Sequence, residues 1–298
     1  MHSDQIDISL DVVRQLIDEQ FRRWRSLPIR QVAVSGTVNA LFRIGDHLGA
    51  RFPLRSADLA STRREIEREV EAAQTLLGRT PFPTPEPVAF GEPGFGYPLP
   101  WSVQTWLPGT TANDTDPGGS LPFARDLAAF IRAVRAIDTG DRIFSGSGRG
   151  GDLRDHDEWM DTCFKRSEHL LDVPVRRRMW TAFRDLPQPS SDDVMTHGDL
   201  IPGNVLVAQG RLTGILDVGG LGPADPALDL VCAWHLLDDA PRKILREDLR
   251  CDDIEWERGK AWAFEQSLGA AWYYVDTNPG MSQMGVRTLE RLMANTPI

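Results

Sequence analysis

Between Met195 and Leu230 the chain reads MTHGDLIPGNVLVAQGRLTGILDVGGLGPADPALDL, the run that most narrows what it can fold into. Asp199 lies in a His-Gly-Asp turn, and Asn204 follows five residues later. An apolar strand pattern (Val205, Leu206, Val207) comes next, then a Gly-containing turn, then a second apolar run ending in Asp217-x-Gly219. Two such runs joined by a short turn predict a hairpin, with an Asp and an Asn at the ends of adjoining strands. Mg²⁺ wants oxygen ligands in near-octahedral geometry and takes only one or two from protein. An amide oxygen and one carboxylate meet that need, and a separate Asp within reach of an acceptor hydroxyl completes a phosphoryl-transfer site. A lone His-Gly-Asp or Asp-x-Gly would carry little, because such pairs are common in ordinary turns. The ordered set, with apolar strands between its members, points to that chemistry.

HGDLIPGNVLV followed by ILDVGGLGPADPALDL resembles the aminoglycoside phosphotransferase family, a branch of the protein-kinase-like fold with motifs HGDxxxxN, [ILV]-x-D-x-G and G-x-x-x-D-P-x-x-D-L. The resemblance implies that Asp199 is the catalytic residue, that Asn204 and Asp217 are Mg²⁺ ligands, and that His197 props the catalytic loop. Asp225, Pro226 and Asp229 match a segment the family uses structurally. WSVQTWLPGT resembles the family's hinge and GTVNALFRIGDHLGARFPLR its first strands, so nearly the whole chain is covered. The implied activity moves the γ-phosphate of ATP or GTP to a hydroxyl of a small molecule. An aminoglycoside-like antibiotic is the first expectation for that acceptor. A macrolide, or a metabolite such as a sugar, a choline-like amine or homoserine, remains open.

One departure stands in the first third of the chain. Kinases of this fold bridge the nucleotide phosphates to a helix glutamate through a strand lysine, yet residues 1–107 contain no lysine. The matching position is Arg51, and the implied partner is Glu69, with Glu67 and Glu71 read as solvated. Arg keeps the charge but presents a planar fork rather than a point charge, which leaves an inactive nucleotide-binding pseudokinase as an alternative. The phosphate-covering loop holds a single glycine (Ser35-Gly36-Thr37); its N–H and hydroxyl groups suit phosphate, as they suit a plain hairpin turn. Gln104, Thr105, Trp106 and Leu107 are expected to meet the purine through backbone groups. Transfer of a nucleotidyl group by the same site turned around is a further alternative.

Apolar spacing predicts a helix over Ser9–Trp24, strands at Ile29–Ser35, Ala40–Ile44 and Leu48–Phe52, and a helix over Ser61–Leu77 with Ser61 or Thr62 as cap. Strands follow around Val88–Phe90 and Trp101–Leu107, then a helix over Leu121–Ile137. Residues 154–185 read as helix interrupted at Pro174, and the chain after Asp225 as mostly helical. The break at Pro108-Gly109 sets the expected boundary between a nucleotide-binding lobe (1–107) and a catalytic and substrate-binding lobe (108–298). The expected class is α+β: a bilobal protein-kinase-like fold, with a small β-rich N-lobe, a larger helical C-lobe and a nucleotide cleft between them.

Charge bounds the partners. The first 107 residues carry 13 acids against 12 arginines, the remainder 30 against 21 bases, and the net charge of −10 argues against nucleic acid. An acidic second half favours a cationic acceptor, although acids that simply solubilise a surface would look the same. Asp238, Asp239, Asp252, Asp253, Glu255 and Glu265 are the pocket candidates, and Arg149-Gly150-Gly151 is a segment that either shapes a pocket or is a plain turn. The aromatics Trp234, Trp262, Trp272, Tyr273 and Tyr274 suit a cationic cleft but more simply a core. No apolar run reaches membrane-spanning length and no signal-peptide pattern opens the chain. Cys163, Cys232 and Cys251 lack metal-ligand spacing and read as reduced. These features set the expectation of a cytoplasmic monomer or weak dimer.

Overall fold

The computed structural model describes residues 6–32, 39–54, 58–189 and 191–294. They divide into two compact units, one of Met1–Leu77, Pro83–Pro108 and Asp217–Gly219, the other of Gly78–Phe82, Gly109–Leu216 and Gly220–Ile298.

The first unit opens with α1 (Leu10–Gln20), whose first turn is closed by the Ser9 hydroxyl accepting from Val12 N. Its 3.6-residue apolar stripe buries Val13, Leu16 and Ile17. The helix stops before Trp24 because Phe21 leaves helical geometry (φ −131°, ψ 72°) and packs edge-on against Trp101; a 3₁₀ turn, Arg22–Trp24, replaces the expected last turn. β1 (Ile29–Val32), β2 (Asn39–Ile44) and β3 (Leu48–Pro53) follow, then α2 (Leu59–Leu76), β4 (Pro87–Gly91) and β5 (Trp101–Thr105). All pair antiparallel in the order β1-β2-β3-β5-β4. β2 buries every second residue, so Phe42 and Ile44 enter one core with Phe52, Trp101 and α1. The cap of α2 is Asp58, not Ser61 or Thr62: its carboxylate accepts from Ser61 N at 2.9 Å, where negative charge meets the helix dipole.

The second unit contains β6 (Thr110–Thr111), α3 (Leu121–Arg135), α4 (Asp157–Ser167), α5 (Val173–Arg184), β7 (Val194–Thr196), β8 (Val205–Ala208), β9 (Arg211–Ile215) and β10 (Gly222–Ala224). Four helices complete it: α6 (Val231–Leu236), α7 (Asp239–Leu249), α8 (Asp253–Tyr273) and α9 (Pro279–Ala294). Pro174 does not interrupt a helix. It sits in the first turn of α5, where a missing N–H costs nothing, and the break falls at residues 168–172. The expected hairpin is β8–β9, with β6 at its edge, and it turns through Gln209 and Gly210 at positive φ (51° and 69°). α8 runs through the middle of this unit. Its Trp262, Phe264 and Leu268 are fully buried, and so, against its own charge, is Arg258. Among the described residues no helix is long and apolar enough to cross a membrane.

Candidate active site

The loop between β7 and β8 carries the His-Gly-Asp motif, and side chains brought from elsewhere hold its backbone. Asp229, fully buried, accepts from His197 N at 2.8 Å and Gly198 N at 2.9 Å. Burial pushes the Asp229 carboxyl pKa up, and His197, the two loop N–H groups and Arg135 counter it. The His197 ring is equally committed: Nε2 lies 3.1 Å from Leu216 O, and Nδ1 accepts from Asp199 N at 3.3 Å. Nδ1 is thereby an acceptor and Nε2 the ring's donor to Leu216 O. Gly198 turns the loop at φ 81°, with Gly220 O where a side chain would press. The motif's His and Gly therefore build a backbone cradle, and Asp199 is what it presents.

The Asp199 carboxylate is held by three donors. Asn204 Nδ2 reaches Oδ2 at 2.9 Å and the Asp199 carbonyl at 3.0 Å. Arg149 Nη2 at 3.2 Å and Gln266 Nε2 at 2.8 Å both reach Oδ1. With its amide protons turned to Asp199, Asn204 has its amide oxygen to offer a cation. Its backbone carbonyl accepts from Leu216 N at 2.7 Å, which pins Asn204 to the end of the hairpin.

Arg149 also lines a cavity of about 500 Å³ with Phe144, Asp152, His156, Trp159 and Glu265. Glu265 is 4% exposed; its Oε1 lies 3.1 Å from His156 Nδ1, while its buried Oε2 meets no hydrogen-bond donor among the described residues. Of the acids singled out in the sequence only Glu265 faces this cavity. Asp252 caps α8, and Asp238, Asp239, Asp253 and Glu255 pair with Arg291, Arg242, Arg246 and Arg135. Trp234 and Trp262 are core residues, fully buried, and the cavity's aromatic walls are Phe144 and Trp159 instead.

Within the first unit Arg51, on β3, lies 3.2 Å from Glu69 on α2 and 3.6 Å from Asp217. Glu67 and Glu71 are exposed. Burial raises the Glu69 pKa; Arg51 opposes this and Asp217 adds to it. Asp217 sits in left-handed backbone (φ 55°), which Asp tolerates better than most residues with a side chain. The motif's glycine has a local reason too, since a Cβ at Gly219 would lie 2.9 Å from Glu69 Cγ. Arg51, Glu69, Val103, Gln104 and Asp217 line one narrow cleft. The N–H groups of Thr105 and Trp106, expected to meet a purine, are given to Glu86 O and His47 O. Ser35, Gly36 and Thr37 lie outside the described residues.

Among the described residues no three His, Cys, Asp or Glu side chains cluster as a metal site. Cys163, Cys232 and Cys251 are buried free thiols, and burial pushes Cys163 up to about 12. Gln266 and Arg149 reach Asp199 from 67 and 50 residues away in sequence. No spacing rule links a mid-helix Gln to a loop Asp, whereas Arg149 carried a faint signal in the glycines beside it.

A small antiparallel sheet with one long helix, and a larger helical unit carrying a two-stranded catalytic-type hairpin, define a protein-kinase-like fold. Residues 29–262 match the phosphotransferase enzyme family, and the chain belongs to that family. An aminoglycoside 3'-phosphotransferase of Escherichia coli is 29% identical over 148 residues, 47% of this chain and 53% of that protein. One from Streptomyces fradiae is 43% identical over 77 residues, 23% of this chain and 29% of that protein. The matches thus span about half the length or less of these curated relatives. Among solved structures, the GDP and kanamycin complex of APH(2")-IIia superposes with a TM-score of 0.70 at 18% identity, covering 96% of this chain and 99% of that one. The macrolide 2'-phosphotransferase MphH from Brachybacterium faecium gives 0.64, also at 18% identity, covering 97% and 99%. The fold is the one these phosphotransferases share.

Proposed function

We propose that this protein is a Mg²⁺-dependent small-molecule kinase that transfers the γ-phosphate of ATP or GTP to an acceptor hydroxyl. The observation that carries the reading is the Asp199 carboxylate, oriented by Asn204 and tied through Arg149 to the wall of a 500 Å³ cavity. Residues 1–107 are assigned to nucleotide binding and 108–298 to catalysis and the acceptor. Asp199 takes the hydroxyl proton as the acceptor oxygen bonds to phosphorus and the bond to the leaving diphosphate breaks. The Asn204 amide oxygen and the half-exposed Asp217 carboxylate are hard donors, the kind Mg²⁺ takes. When bound, the ion neutralises charge on the phosphate oxygens. Arg51, set by Glu69, grips the phosphates, with Ser35, Gly36 and Thr37 covering them and Gln104–Leu107 beside the base. Replacing Arg51 by Ala is expected to weaken nucleotide affinity roughly tenfold, about 1.4 kcal/mol, and Glu67→Ala to leave it unchanged. Equal small effects in a titration with nucleotide would remove Arg51 from this role.

The cavity favours an acceptor that carries an amine. A buried carboxylate oxygen without a donor is costly unless an ammonium or similar group meets it, and Glu265 Oε2 is such an oxygen. An aminoglycoside-like antibiotic fits, in keeping with the curated relatives and with the neighbour bound to GDP and kanamycin. Phosphorylation would then add about two negative charges to a drug that binds through positive ones, a route to resistance. Glu265→Gln, which keeps the size and the bond to His156, is expected to raise the acceptor KM about tenfold with little change in kcat. An unchanged KM would favour an uncharged sugar or other neutral acceptor.

The test is Mg²⁺-dependent release of ADP or GDP, screened over aminoglycosides, macrolides and small amino or sugar alcohols, with product mass as the second readout. A compound that stimulates release and gains one phosphate supports the reading. Nucleotide binding with no product from any acceptor would instead support a pseudokinase, and release of AMP a nucleotidyl transferase.

A further inference from the structure

One of the bonds to Asp199 begins a chain that reaches the core of the second unit. Gln266, half-buried on α8, donates from Nε2 to Asp199 Oδ1 at 2.8 Å. An ionised carboxylate only accepts, so the amide must turn its nitrogen toward Asp199 and its oxygen away. That oxygen lies 3.0 Å from His235 Nε2 on α6. An amide oxygen also only accepts, so His235 must carry a proton on Nε2. On its other side, His235 Nδ1 lies 3.0 Å from the hydroxyl of Thr288 on α9, which can donate. The polarity is set from His235 to the loop, His235 Nε2–H to Gln266 Oε1 and Gln266 Nε2–H to Asp199 Oδ1, while the Thr288 hydroxyl lies between His235 Nδ1 and Met284 Sδ (3.8 Å).

His235 and Thr288 are 5% and 0% exposed, so water has little access to the link between them. Burial holds His235 near a pKa of about 4, against the bond to Gln266 and helped by the positive charges of Arg149 and Arg291, which keeps the ring neutral at pH 7. A carboxylate has about four lone-pair sites, two on each oxygen. Gln266 and Arg149 take both sites on Oδ1, and Asn204 takes one on Oδ2.

Resting on the reading of Asp199 as the proton acceptor, we infer that Gln266 and His235 are positioning residues: with Arg149 they saturate Oδ1, so that Oδ2 receives the acceptor's proton. Helices α6, α8 and α9 thereby set the rotamer of a loop residue. A site that must hold its base within a fraction of an ångström needs such support, because a loop alone is less precise.

Two measurements on the whole protein test this. Long-range ¹⁵N imidazole spectra at neutral pH, assigned with His235→Gln, should show His235 as the neutral Nε2–H tautomer; an Nδ1–H or doubly protonated ring overturns the relay. Turnover of Mg²⁺–nucleoside triphosphate, with water as acceptor and with any hydroxyl compound the screen yields, is then compared across variants. Gln266→Leu and His235→Phe should each lower kcat roughly tenfold at unchanged nucleotide KM, and the double variant should be no slower than the slower single one. His235→Gln should stay within about twofold of wild type, since its amide nitrogen also donates. Additive losses, or Gln266→Leu turning over like wild type while Asp199→Ala is inactive, would overturn the relay. Asp199→Ala turning over like wild type would instead remove the reading of Asp199. If nothing turns over, the tautomer alone decides.

Discussion

Asp199→Ala is expected to lower turnover by about three to four orders of magnitude while nucleotide binding survives. The side chain sits on a backbone loop held independently of it, through Asp229 accepting from His197 N and Gly198 N. Its removal leaves those two backbone bonds intact while it deletes the proton acceptor and the carboxylate that Asn204, Arg149 and Gln266 donate to. The Arg51–Glu69 pair belongs to the first unit and Asp199 to the second. Isothermal titration with nucleotide, beside single-turnover kinetics, separates the two outcomes. A parallel collapse of nucleotide affinity would show that Asp199 serves binding, and the assignment of a base would fall.

The second large effect is on stability. Arg258→Ala is expected to cost about 3–5 kcal/mol, because it strands the charge of Asp225 in the interior. Arg258 and Asp225 are 1% and 2% exposed and lie 2.7 Å apart. Arg258 also donates to Pro187 O and Gly151 O, and Trp262 Nε1 donates to the same Asp225 oxygen. The cluster ties α8 to the Gly150-Gly151 turn beside Arg149, so the variant should lose turnover before it unfolds. Chemical denaturation measures the cost, and Arg246→Ala is the control. Arg246 pairs with Asp253 at the surface, and its loss should leave the midpoint unchanged within error. Equal midpoints for the two variants would refute the difference assigned to burial.

Local features of the chain were readable where the physics is local. The β8–β9 hairpin follows from two apolar runs and a turn that tolerates positive φ, and α3 from one unbroken amphipathic stripe capped by Ser120. Errors arose where tertiary packing outweighed local pattern. α1 ends early where Phe21 leaves helical geometry and packs edge-on against Trp101. Pro174 begins α5 rather than breaking it, since the chain already turns at residues 168–172.

Sequence by itself determined the family, through motif residues whose spacing must match strand, turn and metal chemistry over short distances. It also singled out Arg51, Glu69, Asn204 and Asp217 as site candidates. Only the tertiary structure decided what surrounds Asp199. Glu265 and Gln266 on α8, His235 on α6 and Arg149 in a loop come from three separate stretches of the chain that no period or spacing links. Helix packing brings them together because most buried polar groups need a partner, and that requirement is met in space, not along the chain.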